Sequence, residues 1–359
     1  MKLLRSPLAL AAATFLTAHG LQAQTTATTD PVGFMTIDLP VGSDTIVAAP
    51  LSKAPVFQGA VTSLNGFVVT VTGATFGDLT TSPHYVQATT GSQAGMIFDV
   101  ASNTTDTITL VDNGVTPAGL SAGATFKVIP YWTLGSLFPS TDQGVSFTPS
   151  TGTLIPQRRT QLLFPNVTGT GINRAPSTGY FFVTNTFWRS TASGSVNADA
   201  TPILPDSYFI VRNPTNAASG LKLTVAGSVN TGPMAVQLDR LGTAPNDNYV
   251  SLGRAMDITL NNLGLITSGA FTPSTGTAIP QRRDQLLIFN NAATGFNKAP
   301  STSYYYVTNS GTNSWLSTAT GTNDVGTNVI PAAVGYVIRK AANVDTNSQF
   351  WTNTTTPAP

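Results

Sequence analysis

The stretch Val61-Thr-Ser-Leu-Asn-Gly-Phe-Val-Val-Thr-Val-Thr72 decides the fold class. Two runs rich in β-branched residues flank Asn65-Gly66, and this dipeptide suits the two positive-φ positions of a type I′ hairpin turn. Further strand-like runs occupy residues 107–111, 124–129, 221–226 and 234–238, and the last two are interpreted as a longer hairpin. No run of about 12 residues has an apolar stripe at helical spacing, so the sequence predicts an all-β protein.

Composition supports the same class. The chain has 359 residues, of which only 9% are charged, and all 16 acidic residues are Asp. Without Glu, and with few Lys and Arg, the usual residues of exposed helix faces are missing. The absence of Cys excludes disulfides, thiolate zinc sites and Cys nucleophiles. The many aromatic and β-branched residues argue against intrinsic disorder.

Residues 1–23 read as a signal peptide, with a basic start, a short apolar run at 8–16 and small residues before Gln24. The apolar run is about half the length that a membrane-spanning helix needs. We therefore expect an exported chain, located outside the cell, on its surface or in the periplasm, with no transmembrane segment after cleavage. The mature chain has nearly balanced charge, which argues against nucleic-acid binding.

An internal repeat dominates the rest of the chain. Residues 147–186 match residues 271–310 at 27 of 40 positions, an offset of 124. The match resumes at 188–192 against 315–319 and at 209–212 against 336–339. A unit of about 80 residues could bury only a modest core and would gain from packing on its neighbour.

The repeat sets the predicted domain organisation. We expect an N-terminal β module at 24–132, a first repeat with a hairpin extension at 133–258, and a second repeat with a C-terminal tail at 259–359. Each repeat is expected to be an antiparallel module resembling a β-sandwich or barrel.

Polar turns match better between the repeats than their surroundings do. The best examples are Pro-Gln-Arg-Arg, ending in Arg158-Arg159 and Arg282-Arg283, and the motif Asn-Arg/Lys-Ala-Pro-Ser-Thr. One interpretation is that these turns contact a partner or each other. The alternative is uneven divergence after duplication, with the turns kept for backbone geometry. If the Arg pairs lie in strands, one member of each points to either face.

Several segments also resemble a family of secreted proteins found in Verrucomicrobia and related bacteria. The resemblance lies in residues 30–37, 55–59, 126–138 and 208–212 and in the aromatic runs 180–182 and 304–306. It implies export and a place among paralogous surface proteins. The family carries no assigned activity, so it transfers no functional residues. Residues 85–98 are similar to small β modules of phage tails and surface appendages.

Catalytic and metal-binding residues are scarce. After cleavage the only histidine is His84, which lies in a turn sequence, so a His-dependent triad is not expected. The Asp residues are scattered beside turn formers, and no pair suggests the two carboxylates of a glycosidase. No cofactor is expected. Calcium is the one ion for which loops such as Asn246-Asp247-Asn248, Asp112-Asn113 and Asn323-Asp324 offer oxygen ligands.

Trp188 and Trp315 occupy matching positions, with three tyrosines at 304–306 near the second of them in sequence. Such rings can form a platform for stacking sugars, or they can be core residues of a sheet. We predict a non-enzymatic structural or adhesion protein that contacts itself, other surface proteins or glycans. The alternative is a carbohydrate-binding protein, followed by a polysaccharide-degrading enzyme.

Overall fold

Strands dominate the computed structural model, which describes residues 30–309, 312–342 and 348–354, so the all-β prediction is confirmed. The predicted signal peptide, residues 1–23, lies outside the described residues. Among those residues the one α-helix, α1, has four residues, Leu134–Leu137, and no helix has the length and apolarity needed to cross a bilayer.

The strands fall into four consecutive groups along the chain. The first group consists of β1 (Val32–Leu39) and β2 (Ser43–Val47). Then come β3 (Phe57–Ala60), β4 (Ser63–Asn65), β5 (Val68–Thr70), β6 (His84–Ala88), β7 (Ile97–Asn103), β8 (Thr107–Leu110) and β9 (Thr125–Pro130). The first repeat contributes β10 (Trp132–Thr133), β11 (Gln161–Phe164), β12 (Thr178–Phe182), β13 (Trp188–Ser190), β14 (Pro202–Ile203), β15 (Phe209–Asn213) and β16 (Leu221–Ser228). The second contributes β17 (Met234–Leu238), β18 (Asn246–Val250), β19 (Ile258–Thr259), β20 (Gln285–Ile288), β21 (Thr302–Asn309), β22 (Thr312–Ser317), β23 (Val329–Ile330), β24 (Tyr336–Lys340) and β25 (Gln349–Asn353).

The two repeats have the same architecture. Repeat 1 is a five-stranded antiparallel sheet in the order β13-β12-β11-β15-β2, covered by the pair β1-β16. Repeat 2 has the order β22-β21-β20-β24-β18, covered by the pair β17-β25. Each core lies between the sheet and the covering pair, and each contains a fully buried Trp from an edge strand of the sheet, Trp188 or Trp315. The core of repeat 2 also contains Trp351 of β25.

The predicted N-terminal module has the wrong boundary. Strands β1 and β2 belong to repeat 1, because β1 pairs with β16 and β2 pairs with β15. Residues 57–130 form a separate seven-stranded sheet, in the order β3-β9-β6-β7-β8-β5-β4, inserted between β2 and β10. In repeat 2 the corresponding connection, from β18 to β19, spans only residues 251–257. We call residues 54–131 the insert.

Two local predictions are also corrected. The runs at 221–226 and 234–238 do not form a hairpin with each other, because β16 pairs with β1 and β17 pairs with β25. The predicted hairpin at 61–72 forms, but Asn65 is the last strand residue and pairs with Val68. The turn residues are therefore Gly66 and Phe67. Gly66 has φ +59° and Phe67 does not have positive φ, as in a type II′ turn.

Side chains on the second face of each five-stranded sheet join the two repeats. In β15, Phe209 and Val211 point into the core of repeat 1, whereas Ile210 belongs to a smaller cluster between the repeats. In β24, Ile338 points into the core of repeat 2 and Val337 into the same smaller cluster. Each five-stranded sheet thus buries both faces, because its second face meets the other repeat.

The insert packs on repeat 2. Ala235 of β17 lies in the core of the insert, and its amide donates a hydrogen bond of 3.1 Å to the carbonyl oxygen of Gly95. Phe350 of β25 packs against the same core. The outer face of β17-β25 is therefore covered, while the equivalent face of β1-β16 is exposed at Phe34.

Candidate functional site between the two repeats

The two repeats exchange matching hydrogen bonds across their interface. The amide of Asn297 in repeat 2 donates to Asp44 Oδ2 in repeat 1 over 2.7 Å. The amide of Asn173, the equivalent residue of repeat 1, donates to Asp247 Oδ2 in repeat 2 over the same distance. Both Asn residues have a left-handed backbone, with φ +53° at Asn173 and +51° at Asn297, which Asn tolerates better than most residues. The interface is thus approximately two-fold symmetric.

Each carboxylate at this interface also binds an arginine of its own repeat. Arg212 donates two hydrogen bonds of 2.7 Å to Asp44, and Arg339 donates two, of 2.7 and 3.0 Å, to Asp247. Both Asp residues are 2% exposed. The same guanidinium groups then reach the side chains of Asn297 and Asn173 in the opposite repeat. Bidentate pairs of this kind fix geometry as well as charge.

Tyr208 and Gly335 occupy equivalent positions and meet where the two repeats touch. A Cβ atom on Gly335 would lie 2.2 Å from the ring of Tyr208, so only glycine fits there. Tyr208 also packs edge-on against Tyr249 and Phe289, with centroid distances of 6.0 and 6.1 Å. These rings and several aliphatic side chains form the apolar cluster between the sheets.

Beside this cluster the interface opens into a cleft of about 510 Å³. Pockets for small organic ligands commonly measure about 300–1,000 Å³. Its floor is the apolar cluster, and its walls are the two Asn-Arg/Lys-Ala-Pro loops, one from each repeat. Of the two matching turn motifs, this one therefore contacts the other repeat. The cleft is our candidate functional site.

The two walls differ at one pair of equivalent residues. Arg174 donates to the carbonyl oxygens of Asn166 and Asp247 and stacks over the ring of Tyr249 at 4.8 Å. At the equivalent position Lys298 has a buried Nζ with no hydrogen-bond partner among the described residues. Burial lowers the pKa of Lys298, and Asp44 acts in the opposite direction.

The tryptophans predicted as a sugar platform lie in the cores. Trp188 is fully buried and donates from Nε1 to the carbonyl oxygen of Phe138 over 3.0 Å. Trp315 is 1% exposed and packs against Phe271 and Tyr306. The hypothesis that these two rings stack sugars is therefore wrong, and the alternative, that they are core residues, is confirmed.

The Arg-Arg turns are built alike, but they are not strands. Residues Ile155–Gln157 and Ile279–Gln281 form single 3-10 turns, so the expectation of one Arg on each sheet face is wrong. Arg158 stacks over Phe181 at 4.5 Å, and Arg282 stacks over Tyr305 at 4.6 Å. The backbone amides of Arg159 and Arg283 donate to the preceding Ser150 and Ser274. In the part of the chain that the structure describes, these arginines form no ion pairs.

These local bonds account for most of the matching turn sequence. They do not account for its isoleucines, because Ile155 and Ile279 are each 78% exposed, and Leu154 beside the first is 66% exposed. Each repeat thus displays a solvent-exposed apolar side chain next to two arginines. Exposed apolar residues that recur at one place on two repeats are candidates for contact with a partner.

One carboxylate pair that the sequence did not single out lies where the insert meets repeat 1. Tyr131 donates to Asp99. Burial raises the pKa of Asp206 to about 6, and the nearby charge of Asp99 adds to the shift. The cavity beside them, lined by Tyr85 and Tyr131, measures about 30 Å³. This volume holds about one water molecule, so a sugar residue does not fit.

The remaining sequence candidates take part in local structure. His84 is 7% exposed, and its Nδ1 lies 2.8 Å from the carbonyl oxygen of Ser82. Of the carboxylates considered for calcium, Asp247 binds Arg339, while Asp112 and Asp324 accept hydrogen bonds from nearby backbone amides. Among the described residues no three His, Cys, Asp or Glu side chains cluster as metal ligands do.

Repeat 2 has a buried ion pair where repeat 1 has a neutral hydrogen bond. Lys340 and Asp284 are fully buried, and Lys340 donates to Asp284 and to the carbonyl oxygen of Ala270. The equivalent residues of repeat 1, Asn213 and Thr160, share a hydrogen bond of 2.7 Å. Burial lowers the pKa of Lys340 to about 8, against the opposing effect of Asp284. Both repeats therefore have a buried polar pair at this position, and the pair of repeat 1 shows that it need not be charged.

Sequence reasoning missed the residues that line the cleft. Arg212 and Arg339 were within matched segments, and Arg174 and Lys298 were within the matching Asn-Arg/Lys motif. Asp44 was not singled out and Asp247 was considered only as a calcium ligand, because residues 43–47 and 246–250 share only the Asp and the final Val. Comparisons with protein-family models, with curated proteins and with solved structures find no match for this chain.

Proposed function

We propose that the chain is an exported, non-enzymatic structural or adhesion protein of the cell surface or extracellular space. It contacts further copies of itself or other surface proteins through the two repeated turns that carry Ile155 and Ile279. The resemblance to a family of secreted surface proteins points in the same direction.

The observation that carries the proposal is that both repeats expose the same apolar residue on the same kind of turn. Ile155 and Ile279 are equally exposed, and the residue after each turn has nearly the same backbone, with φ −71° at Arg158 and −70° at Arg282. The reciprocal bonds of Asp44 and Asp247 hold the repeats in one arrangement. Two identical contact points at a fixed spacing make the second contact intramolecular and so raise avidity.

Carbohydrate binding is not proposed at Trp188 and Trp315, because neither ring reaches the surface. The experiment includes calcium as a separate condition, because the sequence offers oxygen ligands for this ion in several loops.

The test is light scattering with negative-stain imaging of the purified chain from Gln24 onward, with and without calcium. We expect ordered polymers or rings, which the double variant Ile155→Ser/Ile279→Ser converts to monomers. Val196→Ser is the matched control, because Val196 is 62% exposed and lies outside both turns.

Two outcomes would overturn the assembly role. One is a monomer under both conditions, and the other is assembly that the double variant leaves intact. To test adhesion to other proteins, the same three chains are applied to the surface of the producing cells after removal of their native copy. Equal retention of the wild type and the double variant would contradict a contact role for the turns.

A further inference from the structure

The cleft between the repeats carries more positive than negative charge. Six charged side chains line it, namely Asp44, Arg174, Arg212, Asp247, Lys298 and Arg339. Each carboxylate is already bound by its bidentate arginine. The two cations in excess are Arg174 and Lys298, which occupy equivalent positions on opposite walls. The mature sequence as a whole is close to neutral, so this local excess is a property of the cleft.

Among the described residues, only one of the two excess cations has no hydrogen-bond partner. The guanidinium of Arg174 donates from all three nitrogens, to backbone carbonyl oxygens and to Asn246. Lys298 has no such set, because repeat 1 has Ser43 and Ile46 where repeat 2 has Asn246 and Tyr249. Its Nζ is buried and makes no hydrogen bond among the described residues. A buried ammonium group without a partner is costly, and an anion placed against it removes that cost.

The floor of the cleft is apolar, unlike its charged walls, and favours an apolar ligand group. It is formed by Tyr208, Tyr249 and Phe289 together with aliphatic residues of both sheets, including Leu287 and Val337. An inorganic anion would satisfy Lys298 but leave this apolar surface in water. A neutral apolar compound would cover the floor but leave Nζ without a partner.

We propose that the cleft binds an organic acid, with its apolar body on the aromatic floor and its carboxylate on Lys298. The volume of about 510 Å³ accommodates a body of one or two rings or a medium-length acyl chain. This site is separate from the exposed turns and goes beyond the proposed contact role. The orientation is set by the difference between the repeats, because among the described residues that line the cleft the Nζ of Lys298, on the wall from repeat 2, is the cationic group without a hydrogen bond. The Lys298 side chain turns toward the cleft when the carboxylate binds.

The test is isothermal titration calorimetry of the chain from Gln24 onward with two probes, 2-naphthoate and decanoate. At least one acid is expected to bind at one site per chain. The alcohol 2-naphthalenemethanol, which lacks the carboxylate, is expected to bind about tenfold more weakly than 2-naphthoate or worse, since a charge-assisted hydrogen bond is lost.

Variants assign the binding to Lys298. Lys298→Met keeps the length of the side chain and removes its charge, and it should weaken binding of the acid about tenfold or more. Lys298→Arg restores a cation and should retain most of the affinity. Lys222→Met is the control, because Lys222 pairs with Asp38 on the exposed face of β16.

Circular dichroism establishes that each variant is folded. The proposal is overturned if neither acid binds at concentrations up to about 5 mM, which is weaker than ordinary ligand affinities. It is also overturned if folded Lys298→Met binds the acids as tightly as the wild type, or if the neutral alcohol binds equally well.

Discussion

Trp132 Nε1 donates a hydrogen bond of 2.7 Å to the carbonyl oxygen of Leu51, although 81 residues separate the two in sequence. The bond joins the point where the chain leaves repeat 1 for the insert to the point where it returns. Lys53 lies over the ring of the same Trp132, at 5.1 Å from its centroid. The two ends of the insert are therefore adjacent, as expected for a module placed within an existing domain.

Replacing residues 54–131 by a short Gly-Ser linker should leave the two repeats folded, because no strand of either repeat is removed. The deletion exposes Ala235 and Phe350, so the shortened chain should carry Ala235→Thr and Phe350→Lys. The new residues are those of repeat 1, which has Thr36 and Lys222 at the equivalent positions of its exposed pair β1-β16. Circular dichroism and urea denaturation should show a cooperative β protein.

The full-length chain with the same two substitutions is the control, and it should be less stable than the wild type because its insert loses apolar contacts. If the shortened chain is unfolded, the insert is an integral part of repeat 1 and the interpretation is wrong.

Gly335→Ala should destabilise the joined repeats by about 1–3 kcal/mol, the usual effect of overpacking. The added Cβ would lie 2.2 Å from the ring of Tyr208, at the contact between the repeats. Gly77→Ala is the matched control, because a Cβ there meets no atom within 4 Å. Urea denaturation measures both.

A double-mutant cycle locates the effect. In a Tyr208→Gly background, Gly335→Ala should have little further effect on the free energy of unfolding, because the ring and the Cβ atom of Tyr208, which the new Cβ would meet at 2.2 and 2.3 Å, are both gone. Equal destabilisation with and without the ring would contradict the contact.

Asp284→Thr should lower the free energy of unfolding by about 3–5 kcal/mol, since it leaves the buried amino group of Lys340 without its carboxylate, where it must stay an unpaired ammonium or give up its proton. The double variant Asp284→Thr/Lys340→Asn installs the neutral pair of repeat 1, Thr160 and Asn213. We expect it to recover at least half of the loss. Arg240, which lies 3.6 Å from Asp284, limits the recovery because it stays buried.

Denaturation by urea measures all three chains. A double variant as unstable as Asp284→Thr alone would mean that the charges themselves are required at this position.

Asp206 should make stability depend on pH between about 4 and 6. Burial, with the charge of Asp99, raises the pKa of Asp206 from 3.8 to about 6 in the folded chain. Between these values the folded state keeps a proton that the unfolded state has lost, so this group's contribution to stability decreases as pH rises.

Asp206→Asn should remove that contribution, so the difference in unfolding free energy between wild type and variant should change across this range and be constant above it. Asp112→Asn, at an exposed turn, is the control for replacing a carboxyl group away from this site. A flat difference for Asp206→Asn would mean that its carboxyl is not buried from solvent.

The strand content, the duplication and most turn positions could be predicted from the sequence. These features depend on local physics: period-two alternation, the positive φ that Gly and Asn allow, and the residues that a turn such as Ile155–Gln157 needs for its own hydrogen bonds. Thr160 lies within a matched segment and Asn213 directly after one, although the charged counterpart of this pair in repeat 2 was not foreseen.

Which strands pair and which faces are buried could be learned only from the tertiary structure. Strand β2 pairs with β15, and the Asp44–Arg212 contact at that pairing joins residues 168 apart in sequence. Strand alternation gives two faces but does not say which neighbour covers each, so Trp188 could be read as a surface ring. The cleft exists only because two copies of one sheet meet face to face. Among the described residues, the Nζ of Lys298 makes no hydrogen bond there, because the two copies differ at the residues that surround it, and this difference has an effect only where the copies meet.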